Sequence, residues 1–115
     1  MARSEVTVAS AALNAGTAIT KDAIDITNDH SIDVSGVKND RLRVFIETTS
    51  TAAAVFSIKS GDFSGASVGD LDISTAAAGT QVVELETARF KDSDELVLID
   101  IASTAGVTGN IYAIA

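Results

Sequence analysis

Arg41-Leu42-Arg43-Val44-Phe45-Ile46-Glu47 sets Leu42, Val44 and Ile46 against Arg41, Arg43 and Glu47 at a spacing of two. Side chains alternate between the two sides of an extended chain, so this spacing predicts a strand with one buried face. The pattern recurs downstream. In residues 53–59 (AAVFSIK), Ala54, Phe56 and Ile58 oppose Val55, Ser57 and Lys59, and in residues 70–74 (DLDIS) Leu71 and Ile73 point inward between acidic neighbours. Residues 80–85 offer Val83 and Leu85 against Val82 and Glu84, while residues 110–115 set Ile111 and Ala113 against Tyr112 and Ile114. Residues 95–101 (ELVLIDI) are nearly apolar on both faces, which suggests a central strand covered on both sides at a sheet or subunit contact. Residues 5–9 and 31–34 are shorter candidates upstream.

The eight glycines all fall between these segments, where a reversing chain uses their freedom at positive φ. The chain has 115 residues, which predicts one domain spanning 1–115. About seven or eight short strands, repeating every 10 to 15 residues or so, predict an all-β fold, an antiparallel β-sandwich or jelly-roll-like barrel. Residues 1–20 are the least patterned and read as an extended N-terminal arm or an irregular segment. Alanine runs at 9–15 and 76–78 favour helix but are too short to form one alone. Nineteen alanines and no Trp leave few large apolar side chains, so the core is thin, and these side chains have to be buried efficiently or some of them buried against a partner.

Sixteen Asp and Glu against eight Lys and Arg give a formal charge of −8. Phosphate contacts need clustered cations, and here the basic residues are scattered, which argues against nucleic acid and an anionic membrane surface as partners. No apolar run approaches the roughly 20 residues of a membrane-spanning helix, and the start lacks the apolar region of a signal peptide. The absence of Cys removes disulfides, thiolate catalysis and sulfur-ligated zinc.

His30 is the only imidazole, with Asp25, Asp29, Ser31 and Asp33 close in sequence. One reading is an acid/base or metal cluster. The plainer one, which the lack of a paired nucleophile favours, is a polar, solvated turn at Asn28-Asp29-His30. Asp22, Asp25, Asp29 and Asp33 form no calcium loop of the EF-hand kind. Asp92, Asp94 and Glu95 are the best calcium candidates, set against a polar turn between Phe90 and Leu96. The glycines of residues 61–69 lack the Lys and helix of a phosphate loop. Within that loop Phe63 is either tucked onto the core or a partner contact. Phe90 reads as core, with Arg89 and Lys91 pointing outward together. No catalytic constellation emerges, and the chain reads as non-enzymatic, with no cofactor.

Asn39-Asp40-Arg41-Leu42-Arg43-Val44, Phe56-Ser57-Ile58-Lys59-Ser60-Gly61-Asp62, Val68-Gly69-Asp70-Leu71 and Glu86-Thr87-Ala88-Arg89-Phe90-Lys91, followed by Asp94, residues 96–100 and Thr108-Gly109-Asn110-Ile111, resemble a family. It is that of the small capsid decoration, or cement, proteins encoded beside the major capsid gene of tailed bacteriophages. The resemblance runs from about residue 31 to the C-terminus and consists of strand and turn motifs. It implies a β-sandwich or jelly-roll module without catalytic residues, made in the host cytoplasm and bound to the major capsid protein lattice on the virion exterior. A homo-oligomer obeying local capsid symmetry, first a trimer, is the expected assembly. By analogy with other decoration proteins the N-terminal arm is an anchor, which makes Arg3, Glu5 and Val6, together with Phe63, the candidate partner contacts. A small β-sandwich that binds carbohydrate or a host surface is the alternative, with Phe63 and Tyr112 as its candidate stacking residues.

Overall fold

The computed structural model describes the chain except residues 1, 12–13, 38–40, 50–52, 63–68, 76–77 and 104–105. Among the described residues, ten strands and one helical turn run in the order β1 (Ser4–Glu5), β2 (Val8–Ala9), β3 (Asp22–Ala23), β4 (His30–Asp33), β5 (Arg41–Thr48), β6 (Ala54–Ile58), β7 (Leu71–Thr75), β8 (Gly79–Glu86), α1 (Thr87–Phe90), β9 (Leu96–Ser103) and β10 (Gly109–Ile114). They build two five-stranded sheets. The first is ordered β1-β4-β9-β6-β7; the second is β2-β10-β5-β8, with β3 also paired to β10.

The period-two segments became strands with the expected faces inward. Leu42, Val44 and Ile46 of β5, Leu85 of β8, and Ile111 and Ala113 of β10 share one buried cluster with Ile32, Phe56, Ile58, Val97 and Ile99 of the other sheet. β9 is the middle strand of its sheet. Its inner face is sealed at Val97 and Ile99, whereas Leu96, Leu98 and Asp100 on the outer face are half-buried. Phe90 is core, as its sequence context predicts.

Three expectations are corrected. The sheets are mixed rather than antiparallel, because β1 pairs parallel to β4 and β2 parallel to β10. The described residues form ten strands rather than seven or eight, because the single candidate at residues 5–9 is two short strands, β1 and β2, one in each sheet, and β3, two residues long, shows no period. Residues 4–9 do not project from the domain: they supply a strand to each sheet, and Val6 between them is a core residue, 1% exposed. Of the alanine runs, 12–13 and 76–77 lie outside the described residues, and Ala9 is in a strand. The helical turn is instead α1, where the chain leaves β8 for β9.

Gly79 and Gly109 open strands rather than lying between them. Gly109 has φ +148°, and a Cβ there would press into the backbone carbonyl of Glu47 on β5. Only glycine lets β10 start this close to its neighbour.

Candidate functional site

His30 and the acidic turn before it form a polar cluster closed by hydrogen bonds. The imidazole is fully buried, not in a solvated turn as the sequence favours. Its Nε2 accepts the backbone N–H of Asp25 at 2.9 Å, and its Nδ1 lies 3.1 Å from the carbonyl oxygen of Ser4. An amide N–H only donates and a carbonyl only accepts, so the proton resides on Nδ1 and the ring is neutral. Burial holds its pKa below the ordinary histidine value, against the weaker opposing effects of the Ser4 carbonyl and of the charges on Asp25, Asp22 and Asp29. Both ring nitrogens are therefore engaged by backbone, one in the turn and one in the N-terminal segment.

Asp25 completes the knot. Its carboxylate accepts from Ser4 Oγ at 2.6 Å, from the backbone N–H groups of Thr27 and Asn28, and from Asn28 Nδ2. The Ser4 hydroxyl, followed by the Asn28 donors, holds this carboxyl far below the usual carboxylate range. Asp29 closes the turn at φ 61°, a conformation that Asp tolerates better than most residues, and its side chain accepts from the N–H of Ile101.

A pH dependence follows. The unfolded chain has a histidine pKa of about 6.5 and takes up a proton that folded His30 resists, so stability falls as pH drops below that value. The carboxylates held low, Asp25, Asp33, Glu47 and Asp70, bring their own loss only at more acidic pH. Thermal melts between pH 7 and 5 are expected to show a falling Tm in the wild type, and a flat one in His30→Gln after an overall drop. A wild-type Tm that is constant over this range rejects the assignment.

The other candidates are placed as follows. Asp92 Oδ1 accepts from the backbone N–H groups of Asp94 and Leu96, while Asp94 and Glu95 are exposed. This is the polar turn between Phe90 and Leu96, with Glu95 at φ 60°. Among the described residues no His, Asp and Glu converge as a metal site. Arg3 runs over the outer face of the first sheet, its Nη1 directed at the carbonyls of His30 and Ile99 and 2.6 Å from Asp100 Oδ1. Lys59 lies beyond Asp100 on the same face and pairs with Asp70 at 2.8 Å. Glu5 is exposed beside Ser31, Val6 is enclosed, and Phe63 lies outside the described residues. Arg89, expected to point out, is half-buried over the Phe90 ring and donates to the Gly69 carbonyl.

The outer face of the second sheet carries a feature that single-strand reading missed. Tyr112 and Phe45 are cross-strand partners whose rings stack with centroids 5.0 Å apart and planes 5° from parallel. Lys21 lies over Tyr112 from the β3 side, and Val82 of β8 stands opposite Phe45. One row thus crosses the sheet as Lys21, Tyr112, Phe45 and Val82. The period-two alternation of residues 41–47 and 110–115 puts Phe45 and Tyr112 on outer faces, but their meeting depends on the register between strands more than 60 residues apart. No protein-family model, no curated protein and no solved structure matches this chain.

Proposed function

We propose that this chain is a non-enzymatic structural protein of a tailed-phage virion, a jelly-roll-like module that decorates the outside of the capsid shell and cements it. The resemblance of residues 39–44, 56–62, 68–71, 86–91 and 96–100 to that family carries the reading. Three of these segments fall on the start of β5, on the end of β6 with the turn after it, and on β9, strands that frame the core. The architecture suits the role. A shell cement must be small and stiff, and a charge of −8 gives it a surface that stays soluble before assembly. Its partner is the major capsid protein lattice.

The carbohydrate-binding reading has less support. Sugar rings stack on exposed aromatic faces, and Tyr112 is 8% exposed, flanked by Phe45 and Lys21. Cryo-electron microscopy of the virion is expected to show density for this chain on the capsid exterior, and particles made without its gene are expected to lose DNA at lower temperature. Gene-deleted particles with wild-type heat resistance and an unchanged capsid surface reject the proposal.

A further inference from the structure

The strand edges of the two sheets are not treated alike. A free edge presents unpaired backbone donors and acceptors, and folded proteins blunt it with short strands, charges, proline or a covering segment. At one end of each sheet the edges are the two-residue strands β1 and β2. At the other end of the first sheet, β7 has five residues, and its Ser74 carbonyl is occupied by Gln81 Nε2 at 3.0 Å. β8 differs. It is an eight-residue strand ending its sheet, and among the described strands only β5 pairs with it. Its first five residues, Gly79-Thr80-Gln81-Val82-Val83, carry no charge, and Val82 is 56% exposed.

From this we infer that β8 is an assembly edge, and that its occupant is β8 of a second copy of this chain, paired antiparallel about a two-fold axis at Val82. Charge admits a copy of this chain as occupant and disfavours centres toward Glu84, while centres before Val82 pair fewer residues of β8. The chain is strongly acidic, yet this edge is locally neutral. Arg41 and Arg43 lie beside Glu84 at 3.4 Å, and Arg41 is the cross-strand partner of Glu86. Continuing the sheet requires outward residues to meet outward residues, so the two-fold must pass through one residue's position. Centred on Glu84, it opposes two carboxylates; centred on Val83, it sets Glu84 against the exposed Val82. Centred on Val82, it pairs Val82 with its own copy, Thr80 with Glu84 and Gln81 with Val83, with no like charges opposed. The row Tyr112, Phe45, Val82 then continues into Val82, Phe45 and Tyr112 of the second copy. This two-fold pair stands in place of the trimer expected from capsid symmetry, and it is independent of the capsid role.

The test uses the whole chain. Sedimentation or light scattering is expected to give twice the 11.8 kDa chain mass, falling to the single mass in Val82→Lys, a change at an exposed position that is expected to keep the wild-type circular dichroism spectrum. The chain has no Cys, so Val82→Cys carries one thiol. Directly opposed positions lie about 4.5–5.5 Å apart at Cβ, near the reach of a disulfide. Under mild oxidation Val82→Cys is expected to link fully into dimers. Thr80→Cys alone is expected to stay unlinked, but to link when mixed with Glu84→Cys. A monomeric or trimeric wild type overturns the inference, as does a dimer that survives Val82→Lys or fails to link through Val82→Cys. These outcomes are read in solution, apart from the particle experiment that tests the capsid role.

Discussion

Phe56→Ala is expected to leave the chain at or near the limit of folding. Phe56 lies on β6, fully buried, and is the largest completely enclosed side chain among the described residues. Cross-strand from it are Ile73 on β7 and Ile101 on β9. Truncating a buried Phe costs about 3–5 kcal/mol, because transfer energy is lost and the cavity collapses only in part. A domain of this size has roughly 5–15 kcal/mol in total. The thin core sharpens the effect: Ala54 and Ala113, also buried, have little side chain with which to refill the space. Phe45 provides the contrast. It is half-buried on the outer face, and its stack with Tyr112 contributes about 0.5–1.5 kcal/mol beyond its buried area. Urea unfolding is expected to rank Phe56→Ala well below Phe45→Ala. Equal losses would mean that the core is not centred where the two sheets face each other.

That ranking was legible in the sequence, since it follows from alternation within β5 and β6. Strands of five or more residues repeat their buried face often enough to be seen, and β9 announced its central place by being apolar on both sides. Two-residue strands carry no period. β3 therefore could not be read, residues 5–9 read as one strand where the structure has two, and the parallel pairing of β1 with β4 and of β2 with β10 left no sign in the sequence. His30 shows the same limit from the side of the site. Its neighbours in sequence are polar, which argues for solvent, but the Ser4 carbonyl that accepts from its ring lies 26 residues away. Arg3 and Asp100 are further apart still. The Asp92 turn was legible because its hydrogen bonds close within four residues.

Deleting residues 1–9 is expected to lower Tm by roughly 20 °C, the largest effect of any change outside the central core. The segment crosses from one sheet to the other. The N–H of Ser4 donates to the Asp29 carbonyl and that of Val6 to the Ser31 carbonyl, the N–H of Thr7 donates to Asp22 Oδ2, and β2 joins β10. Val6 sits between the two strands, 1% exposed. Burying such a side chain contributes about 1.5–3 kcal/mol. Removing Ser4 also strips the acceptor from His30 Nδ1–H, and a buried donor left without a partner costs about 1–3 kcal/mol. Lost packing of Val8 adds to both. Arg3 makes the informative control. Its pair with Asp100 is partly solvated, and such pairs contribute about 0–1 kcal/mol, so Arg3→Ala is expected to leave Tm nearly unchanged. An arm that served only to grip a neighbouring molecule would show the opposite pattern, with an unaltered Tm on deletion and a loss confined to binding. Calorimetry of the truncated chain in isolation separates the two, because a strap closing its own domain is missed in the absence of any partner.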